Sequence, residues 1–461
     1  MLPLKQRFGP WSFYREALAV ALPVMMQQFI MSMVSLVDSF MVAGLGDVSM
    51  AAVNVVNHFF FVFFVIINVM CIAGGIYIAQ FRGANDSEGM KHAFRFKIIF
   101  TVTIAVMAFF LYRVFAGPLI ALMTMGNLAQ EEIVAVGSVF FKLVAWTFVP
   151  TAISLSIGTC YREIAQPKVP LVISVIATLM NTFGNWVLIY GNLGAPRLEV
   201  RGSAYATIIA RSFEMTALIV YAARTKAPFF PGFMRLFNVS IKLIKEILVK
   251  SGMIFVSEFS FVLSETIMVA MYNRRGGAEV VAGMAAGWTI ANIFFLLFNG
   301  IQITATVLIG GSLGANKLDQ ARSRTAWLKS GSIAAGILMA IPGAVLVFMI
   351  IPVVFSHLSA AARANCLGLV LVILAYLPAW GLLNVQYAIS RAGGDTAMGM
   401  YTDLIVNTFL FAPAAFILSF LTTVAPVPMF AILKIADIVK IFICRYFLRK
   451  ERWVRNLTVK T

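Results

Sequence analysis

The sequence predicts an all-α polytopic membrane protein of about twelve transmembrane helices, arranged as two six-helix bundles related by pseudo-two-fold symmetry. Three observations predict it. Of 461 residues, 61% are hydrophobic and only 12% charged, with mean hydropathy +0.91, whereas a soluble globular chain carries roughly 25% charged residues. Apolar stretches long enough to cross the hydrocarbon core, about 20 residues each, follow one another from end to end. Short motifs then recur in the two halves at a near-constant offset.

The stretches are 14–44, 49–81, 93–122, 133–160, 169–190, 203–223, 247–272, 281–311, 327–355, 364–389, 397–422 and 427–448. The first is too long for the apolar core of a signal peptide and reads as an uncleaved membrane helix. It contains Pro23, where a helix can kink, and Asp38. The second ends in Arg82-Gly83-Ala84-Asn85, and the eighth ends in Leu313-Gly314-Ala315-Asn316. The fifth carries Asn181-Thr182-Phe183 and the eleventh Asn407-Thr408-Phe409. Arg15-Glu16 precedes the first stretch as Lys245-Glu246 precedes the seventh. These matches are all offset by about 230 residues, as expected of parallel repeats whose interface forms a solute path. The domain reading is a six-helix lobe over 1–225, a cytoplasmic inter-lobe loop over 226–250, and a second six-helix lobe with a short tail over 251–461.

The net charge of +17 would suggest nucleic acid in a soluble protein. Here the basic residues sit in short loops, with no aromatic-interleaved groove, so no nucleic-acid partner is expected. They collect on alternate loops: Lys5, Arg7 and Arg15; Arg82, Lys91, Arg95 and Lys97; Arg162 and Lys168; the run from Arg224 to Lys250; Lys317, Arg322, Arg324 and Lys329; Arg391; and the C-terminal tail. The opposite side holds only Arg113, Arg197, Arg201, Arg274, Arg275 and Arg363. Positive charge stays in the cytoplasm, so the expectation is a multi-pass inner-membrane protein with both termini cytoplasmic. Cys71, Cys160, Cys366 and Cys444 lack metal or redox spacing and read as small hydrophobes.

A charge at membrane depth is expensive on insertion scales, about 2.5–3.5 kcal/mol. Arg211 with Glu214, and Asp437 with Lys434 and Lys440, can pair along their own helices. Asp403 lies near the start of its stretch and reads as interfacial. Asp38 has no base within four residues. It must be satisfied by a neighbouring helix or bind a proton or cation. Asn181 and Asn185, four apart on one face, can supply amide groups to a cation such as Na+ or to a protonated acid, or can hydrogen-bond a helix seam. Glu258 and Glu265, seven apart with no base between them, mark a second acidic site for a cation or a cationic substrate, and Asn292 and Asn299 can face them. No HExxH, GxSxG or phosphate-binding loop occurs, so no enzyme is expected, and active transport would draw on an ion gradient.

Ala21-Leu22-Pro23 with Ser35-Leu36-Val37-Asp38 and Val42-Ala43-Gly44-Leu45-Gly46, then Arg82-Gly83-Ala84-Asn85, Gly202-Ser203-Ala204-Tyr205-Ala206-Thr207, Arg391-Ala392-Gly393-Gly394-Asp395-Thr396 and Trp453-Val454-Arg455-Asn456-Leu457 resemble, in order and spacing, the MATE family of multidrug and toxic compound extrusion transporters. The resemblance spans essentially the whole chain. It implies two bundles around a central cavity, working by alternating access, and a cation or proton site formed by Asp38, Asn181, Asn185 and Thr207. It also implies that Glu258 or Glu265 is the acid some branches carry in the seventh helix, although the acid those branches pair with it in the tenth helix is missing here. The expected function is H+- or Na+-coupled antiport that exports amphipathic or cationic organic compounds, with no cofactor beyond the coupling ion. Its expected partners are small organic substrates and membrane lipid, and it is expected to act as a monomer. A lipid-linked precursor flippase of the same superfold is the alternative.

Overall fold

The computed structural model describes residues 7–231 and 240–459. Bilayer-spanning backbone must satisfy its own polar groups, and the helix does this within one segment. The helices are α1 (Trp11–Ala43), α2 (Asp47–Gly83), α3 (Ser87–Met123), α4 (Gln130–Glu163), α5 (Lys168–Tyr190), α6 (Val200–Arg224), α7 (Ile241–Asn273), α8 (Ala278–Gly314), α9 (Leu318–Val354), α10 (Ala360–Ala392), α11 (Ala397–Leu421), α12 (Pro426–Leu433) and α13 (Ile435–Arg449). No strand occurs among the described residues.

Among these residues, 11 helices are long and apolar enough to cross a membrane. The twelfth expected stretch, 427–448, is two shorter helices, α12 and α13, parted at Lys434. There the ladder tightens: Asp437 N bonds back to Lys434 O at 3.1 Å, an i→i+3 bond. Hydropathy runs straight through this break. α8 and α11 also depart from regular geometry, with π-helical turns at Ala305–Ile309, Asn407–Phe411 and Ile417–Leu421. α1 is continuous with Pro23 inside it. A break in helical backbone occurs instead in α3 at Phe115 (φ −104, ψ 18), three residues before Pro118. The stretch read as an inter-lobe loop is partly helical, since α7 begins at Ile241. Arg235, in that same stretch, lies outside the described residues, as do Lys5 and Lys460.

The helices pack into two units. One comprises Met26–Arg82 and Asp86–Leu248; the other comprises Met1–Met25, Gly83–Asn85 and Val249–Thr461. The first is built on an aromatic core in which Phe63 packs at a tilt against Phe148 (ring centroids 4.4 Å apart) and Tyr112 against Phe141 (4.7 Å). In the second, α10 packs against α8 and α9. Its core includes Leu369, Ile373, Met429 and Phe430.

The repeat read from the sequence reappears in the backbone. Asn85 (φ 55) and Asn316 (φ 57), which close the two Gly-Ala-Asn motifs, both take the left-handed conformation that Asn tolerates. Each sits inside the same helix-ending bond, Asp86 N to Phe81 O and Lys317 N to Ser312 O, both 2.9 Å. Two further left-handed pairs follow at matching places, Ala165 (φ 61) with Gly394 (φ 78) and Lys226 (φ 48) with Glu451 (φ 51). The Asn-Thr-Phe pair is not repeated structurally. Asn181 lies in the regular helix α5, whereas Asn407 opens a π turn and donates to Ser260 Oγ at 2.9 Å.

Candidate functional site

In the first unit α1, α5 and α6 bring Asp38, Asn181, Asn185 and Thr207 together on the wall of a cavity of about 450 Å3. α5 and α6 approach closely because Gly202 starts α6, where a Cβ would fall 2.4 Å from the Leu188 carbonyl oxygen. Asn185 Nδ2 donates to Asp38 Oδ1 at 3.0 Å, and Thr182 Oγ1 lies 3.5 Å from the same oxygen. With its amide oriented to satisfy its neighbours, Asn181 donates from Nδ2 to Asp38 Oδ2 at 2.8 Å. Its Oδ1 then accepts from the hydroxyl and the backbone N–H of Thr207, each at 3.2 Å. Asn185 is buried, and its Oδ1 has no hydrogen-bond partner.

The four residues named for this site are thus one hydrogen-bonded cluster. Thr182 belongs to it as well and was not read from the sequence. It follows Asn181 directly, so an i, i+4 pattern passes over it. Asn54, Asn57 and Arg211 line the same cavity. Arg211 and Glu214 pair along α6 as expected, at 2.7 Å. Glu214 also accepts from Ser174 Oγ at 2.6 Å, which in turn accepts from Gln27 Nε2 at 2.9 Å. This chain of bonds ties α1, α5 and α6 together.

The second unit has its own cavity, of about 580 Å3, lined by Glu258, Glu265, Asn292 and Asn299 together with Trp288, Trp380 and Arg391. The two glutamates were read as lacking a base, and the structure corrects this. Arg391 Nη2 donates to Glu258 Oε1 at 2.8 Å, and Lys434 Nζ donates to Glu265 Oε1. Arg391 is not a loop residue but lies in α10, and Lys434 sits at the α12–α13 break; both reach α7 across long sequence separations. Asp403, read as interfacial, is buried within the protein, 4% exposed, and held by Lys440 Nζ (3.0 Å), Tyr387 Oη (2.8 Å) and Ser257 Oγ. The local pairing expected of Asp437 with Lys434 and Lys440 exists at 4.0 and 3.6 Å. For both lysines the shorter bond goes to another helix.

Lys97, counted from the sequence as a loop base, lies inside α3 and is fully buried. It donates to both oxygens of Glu163, at 2.7 and 2.6 Å, and to Thr159 Oγ1 at 3.0 Å. Room for this pair comes from Gly74 and Gly75 on α2, where a Cβ would fall 2.7 Å from Lys97 Cγ and 2.0 Å from Glu163 Oε1. The four cysteines are buried and free.

The MatE family model matches the chain twice, at residues 23–187 and 254–417. This chain belongs to the MatE family. The double match falls on the two halves that share the helix-ending turns. As a MatE transporter it is 24% identical over 310 residues to the probable multidrug resistance protein NorM of Halalkalibacterium halodurans, spanning 66% of this chain and 66% of that one, just under two thirds. It is 24% identical over 419 residues to a probable NorM of Bradyrhizobium diazoefficiens, covering 88% and 87% of the two chains. It is 26% identical over 339 residues to the multidrug resistance protein MdtK of Edwardsiella ictaluri, covering 72% and 70%. The solved structure of the Vibrio cholerae MATE transporter VcmN, in a mutant form, superposes with TM-score 0.85 at 16% identity, over 96% of this chain and 98% of that one. A MOP superfamily transporter from Pyrococcus furiosus superposes with TM-score 0.80 at 15% identity, over 97% of each. These structures share the MatE fold with this chain.

Proposed function

We propose that this MatE transporter is a multidrug exporter that exchanges amphipathic or cationic organic compounds for a coupling ion bound at Asp38, and that the ion is the proton. Relatives named as multidrug resistance proteins support the cargo class. The observation that carries the coupling reading is the Asp38–Asn181 contact. With Nδ2 toward Asp38, Asn181 suits a carboxylate. Reversed, the amide oxygen stands in the same place beside Oδ2, and Nδ2 donates to Thr207 Oγ1 at 3.2 Å, which passes the chain on to Ser203 O at 2.9 Å. That second arrangement is satisfied only by a protonated acid, because two acceptors otherwise face each other. One amide thus has a bonded orientation for each protonation state, and a carrier needs such differential interaction to change its conformational balance. A sodium ion would instead have to displace the amide donors that now occupy both oxygens of Asp38.

A lipid-linked precursor flippase remains the second reading, favoured by the three bases Arg391, Lys434 and Lys440 in the second cavity. The same lining also carries Glu258, Glu265, Asp403 and Asp437, four acids to three bases, and this excess of negative charge favours the exporter. The deciding experiment expresses the chain in an efflux-deficient host and follows ethidium. The exporter reading expects lower accumulation and higher tolerance. Unchanged ethidium handling, with a glycolipid precursor accumulating in the deletion strain of the source organism, would establish the flippase.

A further inference from the structure

α7 presents Glu258, Phe261 and Glu265 to the second cavity, at positions i, i+3 and i+7 of one helical face. Seven residues of α-helix advance about 10 Å, so the two carboxylates stand roughly that far apart along α7 with a phenyl ring between them. Each acid uses a single oxygen, Oε1, on a protein cation. Those cations lie deeper than the acids they serve: the side chains of Arg391 and Lys434 are 12% and 7% exposed, against 32% and 22% for Glu258 and Glu265. Oε2 of each glutamate takes no hydrogen bond of its own among the described residues, and an ionised carboxylate accepts through both oxygens. The remaining acids are already committed: Asp403 is held by Lys440, Tyr387 and Ser257, and Asp437 by Trp380 Nε1 at 2.9 Å. With four acids to three bases in its lining, the cavity therefore leaves two free carboxylate oxygens, separated by an aromatic surface, in a volume of about 580 Å3 that suits a drug-sized ligand.

We propose that the second cavity is a binding site for organic dications whose two cationic groups stand about 10 Å apart across an apolar spacer. One cation sits on Glu258 Oε2 and the other on Glu265 Oε2, and the spacer lies against Phe261. The aromatic side chains Trp288 and Trp380, in the same lining, add cation–π attraction and apolar contact. Lys434 Nζ already stands 5.5 Å from the Trp380 ring centroid, which shows that this wall accommodates a cation. This site rests on the reading of the chain as an exporter of organic cations, and it narrows that cargo by charge number and spacing.

The test uses the full chain in lipid nanodiscs. Calorimetric titration measures binding of bis(trimethylammonium) alkanes with spacers from shorter to longer than the Glu258–Glu265 separation, with alkyltrimethylammonium monocations of matched length as reference. Affinity is expected to peak when the charges lie about 10 Å apart and to exceed the matched monocation by about tenfold or more, the worth of one charged contact. Glu258→Gln and Glu265→Gln should each lower dication binding to the monocation level and abolish the optimum. A flat series, or one rising with length alike for mono- and dications, overturns the proposal, and the wild-type series alone decides this if a variant misfolds. Ethidium export in cells is read in parallel. Export with a flat series removes the dication site and leaves the exporter reading standing, whereas a spacing optimum without export does the reverse.

Discussion

Asn185 donates to Asp38 Oδ1 at 3.0 Å while its own buried carbonyl oxygen has no partner. An unpaired buried acceptor is costly, about 1–3 kcal/mol, and this one stands at the acid on which coupling is proposed to depend. Asn185→Asp keeps the side-chain shape and puts a second carboxylate against the first. Two adjacent carboxylates supply the oxygen ligands that a hard cation takes, so the variant is expected to acquire Na+-stimulated efflux that the wild type lacks. Transport by proteoliposomes with and without an imposed Na+ gradient measures this, and Na+-independent transport by the variant would count against an ion-binding role for position 185.

Lys97 and Glu163 form a buried pair whose separate halves cannot stand alone. Removing one partner leaves an uncompensated charge, at a cost of about 3–5 kcal/mol. Lys97→Met and Glu163→Leu should each lower the unfolding temperature of the detergent-solubilised protein, and the double variant carrying both should recover most of the loss. Double and single variants that lose stability additively would contradict the pairing.

Gly75 makes room for that pair. A methyl group there would fall 2.0 Å from Glu163 Oε1, so Gly75→Ala should lower the unfolding temperature about as much as breaking the pair does. The same substitution in a Glu163→Ala background should cost far less, since the clashing carboxylate is gone. Equal losses in both backgrounds would refute the steric account.

The C-terminal tail docks against the α10–α11 turn. A Cβ on Gly393 would lie 1.8 Å from the Trp453 carbonyl oxygen, so Gly393→Ala should displace the tail and speed tryptic cleavage at Arg455, whose side chain is already exposed. In the same turn, burial raises the Asp395 carboxyl above its ordinary value of 3.8, against the lowering effect of the Met398 backbone N–H and of Arg452, Lys250 and Arg455. The folded chain then holds this proton more tightly than the unfolded chain does. This group's contribution to stability is therefore full below 3.8 and is lost as pH rises through the raised value. Asp395→Asn should flatten that part of the pH–stability curve, as followed by thermal unfolding. An unchanged slope would rule Asp395 out as its source.

The parts of this molecule that were legible in the sequence are those where one helix carries the information. Asp38 stood out because an acid without a local base must find a reason elsewhere, and Asn181 with Asn185 because four residues return to the same helical face. The repeat was legible in Gly83-Ala84-Asn85 and Gly314-Ala315-Asn316 because ending a helix with a left-handed Asn demands particular residues. Pairings between helices were not legible. Glu258 finds Arg391 and Glu265 finds Lys434 only once α7, α10 and the α12–α13 break are packed together. Lys97 was miscounted because it stands only four residues inside the 93–122 stretch, where a buried lysine and a loop lysine look alike in the sequence. The break at Lys434 left no trace in hydropathy, since apolar residues flank it on both sides.

The most direct test of the coupling account is gradient-driven efflux by Asp38→Asn. The amide keeps the shape of the protonated acid and most of its hydrogen bonds to Asn181 and Asn185, so the variant should insert and fold as the wild type does, yet it cannot exchange a proton. Purified wild type and variant, reconstituted at equal protein content, are compared for ethidium efflux under an imposed ΔpH and, separately, an imposed Na+ gradient. The account predicts ΔpH-driven efflux by the wild type, no response to Na+, and no gradient-driven efflux by Asp38→Asn. Wild-type rates of ΔpH-driven efflux from Asp38→Asn would contradict it.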